Sequence, residues 1–154
     1  MGESNNSLTE AINAQFQREL DRLIKEIESY QEESNLWKLN AGIKNSGGNL
    51  TLHLIGNLRH FIGHVLGVTG YKRERDAEFN DKHIARSKII SQIELTKVEL
   101  DHIFPSLNNA SLNEAYPINV MDTPWTKSAF LIHLLGHLNY HLGQINYHRR
   151  LLDS

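Results

Sequence analysis

No cysteine occurs among the 154 residues. That removes disulfide frameworks, thiolate metal sites and cysteine nucleophiles, and it fits a reducing compartment. Any metal would have to be held by histidine, carboxylate or water. Charge of one sign is also lacking: 16 basic and 18 acidic side chains leave a net −2, so there is no electrostatic footprint for nucleic acid. The most basic-looking stretch, Lys72-Arg73-Glu74-Arg75-Asp76, carries its own acids. No apolar run is long enough to span a bilayer, because His53, Arg59, His60 and His64 interrupt the most hydrophobic segment. The first residues, Met1 to Ser7, do not read as a cleavable leader, and Asn6 stands where a myristoylation signal needs Ser or Thr. The expectation is one soluble, cytoplasmic domain over residues 1–154, with neither nucleic acid nor membrane as partner.

Proline is scarce, and its three copies all lie outside the periodic segments. What remains is helical pattern. Ser7-Leu-Thr-Glu10 has capping-box spacing and opens a first helix predicted to reach about Glu33, with Leu8, Ile12, Phe16, Leu20, Leu23, Ile27 and Tyr30 recurring on one face. Asn45-Ser-Gly-Gly48 reads as a connection to a second helix from about Leu50 to Thr69. Arg59 is the only formal charge in that helix. An almost wholly apolar helix needs cover on several sides, which predicts burial in the bundle and against a second subunit. A third helix is predicted from Asn80 or Asp81 to before Pro105, carrying Ile84, Ile89, Ile93, Val98 and Ile103. After an irregular stretch with a short extended piece at Asn119-Val-Met, Thr123 and Pro124 read as N-cap and first residue of a fourth helix reaching about Leu151. The fold class predicted is all-α, a four-helix bundle. About twelve residues between helices 2 and 3 span ~40 Å when extended, enough for a parallel crossover along a ~20-residue helix.

The histidines stand out against this background. His137 and His141 lie four apart and share a helix face. Ser128, Asn139 and Asn146 form the opposite stripe, which turns the pair inward. Two neutral imidazoles on a rigid element begin a divalent metal site, and His53, on the apolar second helix, is the candidate third ligand. Spacing alone leaves the register open, since His60 with His64 and His133 with His137 repeat the same interval. A carboxylate-bridged di-iron centre is disfavoured, because only Glu99-x-x-His102 has the needed form. Helical glycines run beside both seams, Gly56 and Gly63 on helix 2 and Gly136 and Gly143 on helix 4. Each costs about 1 kcal/mol against alanine, so the four predict tight helix approach or a dimer contact.

His137-x-x-x-His141-x-Gly-Gln144-Ile with His53 upstream resembles the DinB/YfiT-like superfamily of bacterial metal-binding bundles. Within it, Gly56-Asn-Leu-Arg59 followed by Arg73-Glu-Arg75-Asp76-Ala-Glu78-Phe79 is similar to a branch with a GNLR-type helix and an RxRDxEF-type loop. The likeness covers nearly the whole chain and departs at His60, where relatives often carry Gln. It implies an up-down-down-up bundle, a homodimer, and a three-histidine site for Zn²⁺, Ni²⁺ or a similar ion on His53, His137 and His141.

Three neutral ligands leave coordination positions open for water, the arrangement of catalytic rather than closed structural sites. The resemblance implies a thiol-dependent S-transferase or a hydrolase acting on a small molecule, with a low-molecular-weight thiol as possible partner. The alternative is a non-enzymatic metal-binding or stress-response dimer whose site is structural or empty. Asn57 and Gln144 are candidates to orient a ligand or water by hydrogen bonding. Arg59 and Arg73, with Arg75, Asp76 and Glu78, are candidates for the pocket mouth or for an anionic substrate. Tyr140 and Tyr147 flank the helix 4 seam as packing or dimer residues.

Overall fold

The computed structural model describes residues 7–154. The reading of the first residues as neither leader nor myristoylation signal falls on residues 1–6, outside that range. Among the described residues there are six α-helices and no strand, only two isolated bridges, Ala115 with Thr126 and Val120 with Thr123. The α-helices are α1 (Leu8–Ser29), α2 (Gly47–Leu58), α3 (Arg75–Asn80), α4 (Arg86–Ile103), α5 (Asn109–Leu112) and α6 (Lys127–Leu152). No helix among the described residues is long and apolar enough to cross a membrane.

The capping box that opens α1 forms as its spacing predicts. The Ser7 hydroxyl accepts from Glu10 N–H at 3.2 Å, and the Glu10 carboxylate accepts from Ser7 N–H at 3.0 Å. Ile12, Phe16, Leu20, Leu23 and Ile27 line the buried face, with Tyr30 just beyond it, whereas Leu8 is exposed. The helix ends at Ser29, short of Glu33; a separate 3₁₀ turn, Glu33–Trp37, follows and buries Leu36 and Trp37.

α2 opens earlier than predicted. Ser46 caps it by accepting from Asn49 N–H at 3.2 Å. Gly47 and Gly48 belong to the helix rather than to a connection, and the packing around them leaves no room for a side chain. A Cβ on Gly47 would lie 3.0 Å from His148 Nδ1, and one on Gly48 2.7 Å from the Trp37 ring. Every residue of α2 is buried within the single chain, under α3, α4, α6 and the Glu33–Trp37 turn. The cover within the bundle that so apolar a stretch needs is therefore present for Gly47–Leu58, whereas His64, Val68 and Thr69 further along are exposed. After Leu58 the helix widens into a π-helical stretch, Arg59–His64, instead of running on as an α-helix to Thr69.

Two further boundaries move. α4 begins at Arg86, not at residues 80–81: residues 75–80 form their own short helix, His83 adopts a left-handed φ of 57°, and the Glu33 carboxylate takes the Arg86 N–H. Its buried face is Ile89, Ile93, Thr96, Leu100 and Ile103, while Val98 is exposed. α6 begins at Lys127, capped by Thr126, whose hydroxyl accepts from Ala129 N–H at 3.1 Å. Thr123 and Pro124 are not its start. Their segment is held elsewhere, with Tyr116 N–H donating to Trp125 O and Lys127 N–H to Glu114 O, each at 2.9 Å.

α1 and α2 each pack against both α4 and α6. Asn13 donates to Asp101 and Gln17 to the Lys97 carbonyl, each at 2.9 Å, so α1 and α4 run oppositely. Glu26 accepts from Asn146 and Arg149, and Tyr30 bonds His148, so α1 and α6 end together. Along α2, Gly47 lies beside His148, His53 beside His137, and the following Phe61 beside Phe130, an opposite run to α6. Arg59 pairs with Glu99 and Gly67 abuts Ile103, so the α2 segment and α4 share a direction. The chain therefore crosses the molecule between residues 65 and 85, and that crossover includes α3.

Candidate metal centre

His53 points from the middle of α2 toward the inward stripe of α6, where His137 and His141 stand one turn apart. Among the described residues, these three form the one group of three or more potential ligands whose ligating atoms all lie within 4.8 Å of one another. His137 Nε2 is 3.1 Å from His53 Nε2 and 3.1 Å from His141 Nε2. His53 is 7% exposed and the other two are half-buried.

The far side of two of the rings is anchored. His53 Nδ1–H donates to Glu78 Oε1 at 3.0 Å, and His141 Nδ1–H to Gln144 Oε1 at 2.7 Å. A carboxylate and an amide oxygen only accept, so in both rings Nδ1 carries the proton and the neutral Nε2 keeps its lone pair toward the cluster. The Glu78 carboxylate is itself held in a fork, with Arg73 Nε donating to Oε2 at 2.8 Å and Arg73 NH2 to Oε1 at 2.9 Å. Burial alone would raise the Glu78 pKa, but the hydrogen bonds from His53 and Arg73 together with the Arg73 charge hold it below the usual carboxylate range. Burial, reinforced by its histidine neighbours, lowers His137 to about 4, and burial also lowers His141. Near neutral pH, His137 and His141 are therefore uncharged bases, the form a metal requires.

These residues fit a divalent ion. Tetrahedral nitrogen ligands about 2.0–2.1 Å from zinc sit roughly 3.4 Å from one another, close to the 3.1 Å separations here. Anchored outer nitrogens are also the usual support for metal-ligating histidines. His137 lacks such an anchor, its Nδ1 being buried without a partner.

The remaining predicted residues are placed as follows. Asn57 is buried beside His53 on α2, yet its Oδ1 has no hydrogen-bond partner and it bonds neither a histidine of the group nor any other side chain. Arg59 is tied to Glu99 through two hydrogen bonds of 3.0 and 2.8 Å, and its guanidinium lies 4.3 Å from the Tyr71 ring centre. Arg73 and Glu78 are a largely buried pair behind His53, while Arg75 and Asp76 are exposed. His60 and His64 stack on each other at 6.1 Å between ring centres, and His133 packs on Trp125 and Phe130. The alternative four-histidine register is thus not assembled among the described residues. Tyr140 and Tyr147 are exposed rather than packed in the core.

Glu78 as the direct partner of His53 was not read from the sequence, where it fell among the residues of a mixed-charge loop. Gly56 was the available signal. A Cβ there would lie 2.6 Å from Glu78 Cδ and closer still to its carboxylate oxygen, so a glycine one turn from a candidate ligand marked the place where another chain segment comes in.

Fold and site together define an all-helical protein with a three-histidine group that could hold a metal ion. The chain belongs to the family described as "Protein of unknown function (DUF1572)", whose model matches residues 3–154, and that family is DinB-like. No curated protein matches the chain.

Proposed function

We propose that this protein is a metal-dependent enzyme acting on a small molecule, a thiol-dependent S-transferase or a hydrolase, built on a four-helix bundle of up-down-down-up DinB-like topology. His53, His137 and His141 would hold the ion, zinc or nickel. When bound, such an ion supplies Lewis acidity toward a carbonyl, a water or a thiol. The observation that carries the reading is the convergence of the three Nε2 atoms, two of them on rings whose outer nitrogens are already committed. For the bundle topology, the supporting observations are the helix directions given by the Asn13, Tyr30, His53 and Arg59 contacts. The GNLR-type and RxRDxEF-type motifs, taken as marks of one branch, meet in space through Gly56, Arg73 and Glu78.

The chain's own residues supply positioning. Gln144 and Glu78 orient two ligand rings, and Arg73 holds Glu78 ionised beside His53. None of the three ligands carries negative charge, and Glu78 is already matched by Arg73, so a divalent ion keeps its full charge for an incoming anionic group. A second reading, a non-enzymatic metal-binding or stress-response bundle, draws on the same 3.1 Å separations, which are also hydrogen-bond distances between imidazoles. Metal analysis of protein purified without a histidine tag separates the classes. About one equivalent of zinc or nickel in the wild type and almost none in His137→Ala is expected. Less than about half an equivalent in the wild type sinks the metal reading. Thiol-transfer activity that disappears in His141→Ala would then favour the enzyme.

A cytoplasmic homodimer is part of the proposal. Its support is a stripe on α6 where Ile132, Tyr140, Tyr147 and Leu151 are 60–74% exposed and Gly136 and Gly143 lie between them. A monomer in sedimentation at micromolar concentration would contradict the dimer.

A further inference from the structure

We propose that Glu78 is a positioning residue of the three-histidine centre: by accepting the His53 Nδ1 proton it keeps Nε2 free to bind, and Arg73 keeps it in that role. The inference rests on the metal reading above. Glu78 comes from α3, on the crossover, and reaches the back of His53 across Gly56, where any side chain would displace it. It is 6% exposed, and both its oxygens are engaged, Oε1 by His53 and Arg73 and Oε2 by Arg73. A buried carboxylate so enclosed has one orientation available, and the His53 ring inherits it. The Phe79 ring, 4.9 Å from the His53 ring centre, closes one side of the same imidazole.

Two consequences distinguish positioning from bulk stabilisation. The His53 tautomer is set by a charged acceptor, so exchanging Glu78 for an amide acts on the nitrogen that faces the metal. Glutamine has one acceptor oxygen for the donors of both Arg73 and His53. When the oxygen serves Arg73, the amide N–H₂ turns to His53, whose Nδ1 must then accept and whose Nε2 must carry the proton. That proton occupies the position the metal needs. The arginine also matters for what Glu78 does not do: with both oxygens committed in the fork, the carboxylate supports the ring from behind and does not enter the cluster as a fourth ligand.

The test uses the full chain and Zn²⁺ alone, with affinity from competition against a chromophoric chelator and the His53 tautomer from ¹⁵N shifts of the metal-free protein. The wild type is expected to show Nδ1–H at His53. Glu78→Gln is expected to gain Nε2–H population and to bind zinc about 10–100-fold more weakly. Glu78→Ala, which removes the acceptor of the His53 Nδ1 proton altogether, is read by the same zinc competition if Glu78→Gln does not fold. Zinc affinity equal to wild type in a folded Glu78 variant, or predominant Nε2–H in the wild type, overturns the inference while the metal reading stands. No zinc uptake by the wild type overturns both.

Discussion

The Glu78 carboxylate occupies the space a methyl group on Gly56 would fill, with Cδ 2.6 Å from the position of that absent Cβ. Gly56→Ala must therefore move the crossover segment or the helix. It is expected to cost about 1–3 kcal/mol, the range for overpacking a filled interior, and to weaken zinc binding along with Glu78 contact. Gly63→Ala is the comparison, since its Cβ would meet Glu99 Oε2 at 3.3 Å and a small shift suffices. Denaturant midpoints and zinc titrations on the two variants check this, and equal effects would argue against a special role for Gly56.

Gly136 and Gly143 behave oppositely. Both lie inside α6 with nothing within 4 Å of an added Cβ. Alanine at either should raise stability by about 0.5–1 kcal/mol through lower helix-formation entropy. If the stripe is a dimer contact that needs close backbone approach, the same substitutions instead shift sedimentation toward monomer. Thermal melts and sedimentation on the same samples distinguish the two outcomes.

Asp153 ties the end of α6 to the end of α1. Its carboxylate accepts from the Gln31 and Glu32 N–H groups at 2.6 and 3.2 Å and from Asn35 Nδ2 at 2.8 Å. Asp153→Ala strands those donors and should cost about 1–3 kcal/mol. Zinc affinity at saturating folded fraction should not change, because the clasp lies at the far end of α6 from His137. A large loss of metal binding at an unchanged melting temperature would contradict this separation.

Acid should destabilise the metal-free protein before its carboxylates titrate. The unfolded chain protonates residue 137 near pH 6.5, whereas the folded site resists until about 4. Across that window the unfolded state binds more protons, so stability falls as the pH falls. His141 and His148, both lowered mainly by burial, act in the same direction. Urea midpoints at pH 7 and pH 5 should decline, and His137→Gln should shrink the difference. A flat profile would mean the pocket accepts protons freely.

Local signals in the sequence carried through where local chemistry decides the outcome. Ser7 and Glu10 are three residues apart on one helical turn, and they form the cap their spacing announces. The period that turned His137 and His141 inward is a property of one helix and survives in the fold. Features set by remote partners did not carry through. The start of α6 is displaced because residues 114–116 claim the backbone around Trp125, and α4 starts late because Glu33, more than fifty residues upstream, takes its first amide. The apolar character of α2 predicted cover in the bundle without saying which segments provide it. α3, α4, α6 and a 3₁₀ turn supply the cover, three of them long-range neighbours that periodicity cannot reveal.

The three histidines are also far apart along the chain: His53 meets a nitrogen 84 positions later. During synthesis from the N-terminus, α2 and the Arg73–Glu78 pair leave the ribosome while α6 is still untranslated. A chain stopped before α6 holds one imidazole of the three, and a single histidine binds zinc poorly. An ion held by all three histidines would thus register that the last helix has docked, and would mark completed assembly whatever else it did.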